Sequence, residues 1–353
     1  MKKIRNLKWM SLLLVVVFVA SFAVGCGGKA GEEEEGAASQ EGESKEPEGF
    51  KVAMVLTGPI NDAGWNESAY KGLVTAKEQF QVETAYSENV PQPDFEAVIR
   101  DYADKGYNLI ICHGFEFSDV VKTVSPEYPD SIFAVVNGDS FQEPNMVSMR
   151  FNTPQTGFIA GTVAGLISKT NVVGMIGGTK MPHIQDALLG FEAGAKYVNS
   201  NAKALTGFTE SMTDLAKGKE MAMAMIEQGA DVTCANANQA ALGVIDAAKS
   251  KGIKHIGYIS DQYDVDPDTI FVSVIQSVED MVVSVVDKAV KGEAKPALYL
   301  MGVNDGAIRL SDFHGNEANL PEGAMDKINE VIAGIKDGSL KEKGILPKSI
   351  FEQ

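Results

Sequence analysis

Polar and aromatic side chains follow many of the apolar runs in this 353-residue chain, at the points where the runs end. Amide, carboxylate and imidazole groups can hydrogen-bond a small polar molecule, and aromatic rings can stack on a flat one. Groups of these types suit the reversible capture of a small ligand. The candidate ligand-binding residues are Trp65, Asn66, Phe115, Phe117, Asn137, Asp139, His183, Asn236, Asp261 and Gln276.

Most of these candidates also have a purely structural interpretation. Trp65 opens a helical pattern, where it either forms a flat wall for a ligand or packs its helix onto a sheet. Of Phe115 and Phe117, we expect one to line a cleft, and the alternative is that they belong to the core. Asn and Asp also end strands through turn chemistry alone, and Gln276 could instead hydrogen-bond within a hinge.

The chain carries no recognisable catalytic or cofactor motif. It has no Gly-x-Ser-x-Gly, no Cys/His pairing, no paired catalytic carboxylates on one motif and no dinucleotide-binding glycine fingerprint. Cys112 and Cys234 end apolar runs, and we expect them to be buried free thiols; the alternative is a disulfide between them. The four His residues lack the spacing of zinc ligands. We therefore expect no cofactor, no metal and no enzymatic activity.

The composition excludes several classes of protein. Hydrophobic residues make up 44% and charged residues 22%, as in soluble globular proteins. At roughly 100–200 residues per domain, the length predicts two domains. The formal net charge is −17, because 48 Asp and Glu oppose 31 Lys and Arg. A chain this acidic repels phosphate backbones, so nucleic acid is not an expected partner.

The beginning of the chain has the pattern of a lipoprotein signal. Positive charges precede an apolar run at 12–20, which is too short to span a bilayer, and small residues then precede Cys26. We read 1–25 as a signal peptide and Cys26 as the lipidated residue; the alternative is an ordinary signal peptide with a chance cysteine. The segment 26–49 is rich in Glu and Gly, which predicts an acidic flexible tether. These features predict lipid anchoring on the extracytoplasmic face of the cell membrane.

From residue 50 onwards, apolar β-branched runs alternate with helical patterns. Runs at 51–57, 108–112, 131–137 and 171–177 are nearly continuous in apolar residues. Such runs are typical of strands that are covered on both faces, as in a parallel sheet. Two successive series of this kind predict two doubly wound α/β sheets. Ligands bind such sheets beyond the carboxyl ends of the strands, where the candidate residues lie.

Motifs within these loops and helices resemble those of the basic membrane protein family, whose members are bacterial substrate-binding lipoproteins of ABC transporters. Each motif alone is a weak signal. The resemblance rests on the order of the motifs along 50–315 and on the lipoprotein signal that precedes them. The matching segments are Asp62-x-Gly64-Trp65-Asn66, Gly114-Phe115-x-Phe117, Phe133-Ala134-x-x-Asn137-Gly138, Phe158-x-x-Gly161, Gly190-Phe191-x-x-Gly194-Ala195, Asp261-Gln262 and Val272-Ser273-Val274-Ile275-Gln276.

The resemblance implies a type I periplasmic-binding-protein fold, in which two Rossmann-like doubly wound lobes are joined by a three-crossing hinge and close on a ligand. It also implies a monomer that delivers a small molecule, such as a purine nucleoside, to ABC permease subunits. The inferred lobes are 50–152 plus 277–302 for the N-terminal lobe, and 153–276 plus 303–353 for the C-terminal lobe.

The sequence departs from the nucleoside-binding pattern of that family at three positions. Asn137 stands where nucleoside-binding members have Asp, and Gln276 stands where they have Lys. Ala187 falls where an aromatic residue would stack on the base, whereas Asp261 is retained. The resemblance therefore leaves three ligands open: a purine nucleoside, a bare purine base or a related small heterocycle. It also leaves open a sensor lipoprotein that signals to a membrane receptor instead of feeding a permease.

Overall fold

The computed structural model describes residues 49–61 and 65–352, and its strands follow the apolar runs of the sequence. Cys26, the signal peptide and nearly all of the tether lie outside the described residues. The strands are β1 (Lys51–Leu56), β2 (Glu83–Ser87), β3 (Leu109–His113), β4 (Ile132–Val136), β5 (Met146–Phe151), β6 (Val172–Gly177), β7 (Lys203–Phe208), β8 (Val232–Asn236), β9 (Lys254–Ile259), β10 (Ile270–Gln276), β11 (Leu298–Met301) and β12 (Ile308–Leu310).

Helices alternate with these strands along most of the chain. They are α1 (Trp65–Phe80), α2 (Phe95–Asp104), α3 (Ser118–Val124), α4 (Thr153–Ile167), α5 (Pro182–Val198), α6 (Leu215–Glu227), α7 (Gln239–Lys251), α8 (Val278–Val290), α9 (Ala324–Lys336) and α10 (Ser339–Glu342). In the part of the chain that the structure describes, no helix has both the length and the apolar composition that a bilayer crossing requires.

The strands form two six-stranded sheets within one compact unit. The first sheet has the order β11-β5-β4-β3-β1-β2 and the second has the order β12-β10-β9-β8-β6-β7. Neighbouring strands are parallel throughout the first sheet, and in the second sheet only the pair β10 and β12 is antiparallel. Two α/β sheets of this kind are what the alternating pattern predicted. We call each sheet, with the helices packed on it, the N-terminal lobe and the C-terminal lobe.

The chain passes between the two sheets three times, which is the predicted hinge arrangement. It leaves the first sheet after β5, returns after β10 to form α8 and β11, and crosses again before β12. The exact residue limits of the lobes stay a prediction.

Each sheet of the protein is covered on both faces, because alternate residues of a strand point to opposite sides. In β1, Met54 and Leu56 pack in a cluster with residues of α1 and α8, whereas Ala53 and Val55 pack with residues of α2 and α3. Burial of both faces explains why the strand sequences are almost continuously apolar. Cys112 and Cys234 lie in these strands as buried free thiols, as expected.

Glycines allow α4 and α5 to approach each other closely. A Cβ atom at Gly157 would overlap the backbone carbonyl of Ala187, and one at Gly190 would overlap that of Pro154. Ala187 is itself fully buried in this contact. The helix pair therefore has no room for an aromatic side chain at 187, which gives a physical reason for the alanine there.

Candidate functional site

A cavity of about 720 Å³ lies between the two lobes. The N-terminal lobe contributes the beginnings of α1 and α8, and the C-terminal lobe contributes the carboxyl ends of β8, β9 and β10. This is the position at which doubly wound sheets bind their ligands. The cavity is lined by Trp65, Glu67, Ser68, Lys71, Asn238, Ile259, Ser260, Gln276, Val278 and Glu279.

Trp65 forms part of this cavity while resting on a buried histidine. Its ring stacks on that of His113, with the ring centroids 4.5 Å apart and the planes inclined by 26°. The Nε2 atom of His113, at the end of β3, lies 3.1 Å from the carbonyl oxygen of Trp65. The indole remains 38% exposed. One face of the ring is thus supported by the protein, and the rest of the ring can contact a ligand.

Two other aromatic candidates lie outside the cavity. Phe117 is fully buried and stacks on Phe95 at a centroid distance of 3.9 Å, so it belongs to the core. Phe115 is 55% exposed on the loop after β3 and does not line the cavity.

Asn66 is buried at the beginning of α1, where a Cβ atom on Gly58 would come within 2.6 Å of its Nδ2 atom. Asn66 therefore packs against the loop that follows β1.

Gln276 lies at the cavity and also makes a hydrogen bond to a buried residue of α4. It ends β10 and lines the cavity. Its Nε2 atom donates a hydrogen bond of 2.9 Å to Oγ1 of Thr156, a buried residue of α4. Because both partners are buried, this bond holds the side-chain amide in place at the point where the chain returns to the N-terminal lobe.

The carboxylate of Asp261 contacts its own lobe and not the cavity. Its Oδ2 atom lies 2.7 Å from Nε2 of His314, and its Oδ1 atom accepts a hydrogen bond from the backbone of Tyr263. The rings of Tyr263 and His314 are stacked 4.0 Å apart. The hydrogen bond with Asp261 raises the pKa of His314 above its ordinary value. The residues just before Asp261, Ile259 and Ser260, line the cavity instead.

Asn236 and Asn238, near the end of β8, have different environments. Asn236 is buried, and its carbonyl accepts a hydrogen bond of 2.9 Å from the backbone of Gly178. Asn238 lines the cavity and adopts a positive φ of 43°. Asn238 directly precedes α7, which therefore begins at the cavity edge.

A second cavity of about 870 Å³ lies between the loop after β4, strand β11 and the C-terminal segment. Asp139 lines it. Asn137 has a φ of 62°, and its backbone N–H donates to the carbonyl of Met149. Burial lowers the pKa of His183 to about 4, with a smaller effect from Arg150, so this imidazole is neutral at pH 7. Asn137 and His183 line neither cavity.

Ile259, Ser260 and the charged residues of the first cavity are not among the candidates that the sequence predicts. Lys71 pairs with Glu67 at 2.6 Å, and Glu279 accepts a hydrogen bond of 2.9 Å from Thr75. These charges are neutralised or hydrogen-bonded within the N-terminal lobe. The sequence does contain a signal for Ile259 and Ser260, because they lie at the end of an apolar run at 254–260, where ligand-binding residues of such sheets are expected.

Comparison with known proteins agrees with this architecture. Residues 50–339 match the family model described as ABC transporter substrate-binding protein, PnrA-like. The chain belongs to this family. Basic membrane protein A1 of Borrelia garinii subsp. bavariensis is 32% identical over 272 residues, which are 76% of this chain and 77% of that protein. The resemblance inferred from the short motifs is thereby confirmed.

Solved structures share the fold of this PnrA-like chain. A transcriptional activator of the comK gene from Bacillus halodurans has a TM-score of 0.71 and 28% identity, covering 82% of this chain and 99% of that one. A solute-binding protein of an ABC transporter system from Aeropyrum pernix K1 has a TM-score of 0.61 and 22% identity, covering 82% and 92%. The second likeness concerns the fold alone. Family and fold are those of substrate-binding proteins and not of enzymes.

Proposed function

We propose that this PnrA-like protein is a lipid-anchored, extracytoplasmic component of an ABC importer that captures a purine base, a purine nucleoside or a related small heterocycle between its lobes. The observation that carries the proposal is the 720 Å³ cavity, in which an indole supported on a buried histidine faces the strand ends of the other lobe. Cavities of this size between lobes or domains are typical of small-molecule sites.

The chemistry of the cavity favours a flat ligand without net charge. Trp65 offers an aromatic surface, and the side chains of Asn238, Ser260 and Gln276 offer neutral donors and acceptors for the edges of a ring. Lys71 and Glu67 neutralise each other, and the third charged residue of the lining, Glu279, accepts a hydrogen bond from Thr75 of its own lobe. A heterocyclic base has this combination of apolar faces and hydrogen-bonding edges, which supports the purine class.

Lipid anchoring belongs to the same proposal. Cys26 follows small residues at the end of an apolar run, and an acidic segment separates it from β1. An anchored receptor with such a tether would remain at the membrane while its lobes reach permease subunits. Mass spectrometry of the protein from its native membrane tests this: a diacylglyceryl-modified N-terminal Cys26 is expected, and an unmodified Cys26 contradicts the anchor.

One solved relative is described as a transcriptional activator, and the charge of this chain argues against a direct role at DNA. Its formal net charge is −17, whereas affinity for nucleic acid depends on clustered Lys and Arg that neutralise phosphates. A sensor lipoprotein with the same cavity remains the alternative, and uptake measurements with the partner permease distinguish the two.

A thermal-shift screen of the purified protein tests the ligand class. Adenine, guanine, hypoxanthine, their ribonucleosides and the pyrimidine bases are the probes, with glucose as a control of different chemistry. A ligand at 100 times its dissociation constant stabilises the folded state by about 2.7 kcal/mol, which raises the melting temperature measurably. We expect at least one purine compound to do so. A screen in which no purine or pyrimidine compound raises the melting temperature contradicts the proposal, whether or not glucose does so.

A further inference from the structure

Ile259 combines two unfavourable features at the end of β9. Its φ is +77°, in the left-handed region, which is a genuine outlier for a β-branched residue. Its side chain is also 39% exposed. Glycine or asparagine would adopt the same backbone conformation with less strain. The protein therefore carries a strained, exposed apolar residue where a small or polar one would fit the turn better.

Packing of the folded chain does not account for this residue. Among the residues that the structure describes, the four hydrophobic clusters do not include Ile259. Its neighbours in sequence have structural roles of their own, since the Tyr258 side chain is buried in the core and Asp261 pairs with His314. Strained backbone that persists without a packing reason is concentrated at ligand clamps and active sites.

The position of Ile259 supplies a functional reason. It lines the 720 Å³ cavity from the C-terminal lobe, and Trp65 lines the same cavity from the N-terminal lobe. Trp65 rests on His113 on one side, so its remaining surface is the part that can meet a ligand. These two are the large exposed apolar side chains among the described residues of the cavity lining, and they come from different lobes.

We propose that Ile259 is a specificity-determining residue: the apolar wall that covers a flat ring from the side opposite Trp65 when the lobes close. This inference rests on the proposed function and narrows its ligand class. An isoleucine wall removes water from the face of a heterocycle but offers no partner to the hydroxyls of a ribose, which would lose their hydrogen bonds there. A bare heterocyclic base loses no hydrogen bond at this wall, so the wall favours the base over its ribonucleoside.

The test replaces Ile259 with glycine, which removes the wall and relieves the backbone strain together. Asn89→Gly is the matched control, because Asn89 also has a positive φ, of 54°, is exposed and lies outside the cavity. Calorimetry measures the affinity of the parent protein and both variants for adenine, guanine, hypoxanthine and the three corresponding ribonucleosides. Thermal unfolding measures the stability of the same three proteins.

For Ile259→Gly we expect a melting temperature equal to or higher than that of the parent protein. We expect its affinity for the base to fall by roughly tenfold or more, because apolar contact is lost. We also expect a smaller preference for the base over the ribonucleoside. The control retains the parent affinity. If the parent protein and Ile259→Gly bind the base equally well, this inference is wrong, while the proposed function still stands. A lower melting temperature for Ile259→Gly also overturns the inference, because the isoleucine would then have a structural role. A parent protein that binds none of the six probes contradicts the proposed function itself.

Discussion

The indole of Trp65 rests on the imidazole of His113, with 4.5 Å between the ring centroids. His113 is fully buried at the end of β3, and its Nε2 atom also lies 3.1 Å from the carbonyl oxygen of Trp65. These two contacts orient the indole before any ligand arrives. A pre-oriented wall reduces the entropy that binding must overcome, so the affinity of the cavity depends on a residue that sequence spacing alone did not connect with Trp65.

Replacing Trp65 with alanine should weaken ligand binding and leave the fold intact, because the indole is partly exposed at the beginning of α1. Stacking of a base on an aromatic ring contributes about 1–3 kcal/mol. Calorimetry with the ligand found by thermal shift measures the loss. Phe115→Ala is the control, since Phe115 is exposed and lies outside the cavity. Equal losses in both variants, or none in Trp65→Ala, would remove the stacking role.

Gly190→Ala should destabilise the C-terminal lobe, because the added methyl group would overlap the backbone carbonyl of Pro154 on α4. Overpacking of this kind costs about 1–3 kcal/mol or more. Chemical denaturation measures the change in the free energy of unfolding. Leu189→Ala is the neighbouring control: Leu189 lies on the exposed side of α5, and its loss should change stability by no more than about 0.5 kcal/mol.

The sequence predicted the two sheets but not the contact that the glycines of α4 and α5 make. Alternating apolar runs predicted both sheets, because strands buried on two faces must be apolar throughout. The segments around Gly161 and Gly190 carried the family resemblance, but their physical role became visible only in the contact between α4 and α5. Their sequence spacing fits one helix face, and nothing in it names the partner helix.

The structure brings some of the predicted site residues to the first cavity and places others elsewhere, and the binding roles of all of them stay predictions. Trp65 and Gln276 line the first cavity as expected. Asp261 was expected to bind a ligand, yet it pairs with His314, which is 53 positions away along the chain. Long-range pairs of this kind depend on how the chain crosses back before β12, and periodicity contains no information about it.

The pair of His314 and Asp261 predicts a pH effect in the neutral range. The hydrogen bond with Asp261 raises the pKa of His314 above its ordinary value of about 6.5. The pair therefore contributes its full stability below about pH 6.5 and loses it as the pH rises through the folded-state pKa. An NMR titration should find His314 titrating above pH 6.5, and Asp261→Asn should lower its pKa towards that value. A parent pKa at or below 6.5 contradicts the pair.

His255 predicts the opposite dependence on pH. Burial lowers its pKa to about 3, and its Nδ1 atom lies 2.9 Å from Oγ1 of Thr233. The unfolded chain binds a proton at this residue near pH 6.5, so its contribution to stability is lost as the pH falls from about 6.5 towards 3. Denaturation at pH 7 and pH 5 measures the difference in stability. His255→Gln should reduce that difference, and a variant with the same difference as the parent would contradict the burial effect.

The most direct test of the account is a crystal structure of the protein with the ligand that gives the largest thermal shift. We predict a flat ring between the lobes, with its atoms roughly 4 Å from the indole of Trp65 on one face and from Ile259 on the other. A ligand found in the second cavity beside Asp139, or one that leaves Trp65 uncovered in the space between the lobes, would contradict the central claim.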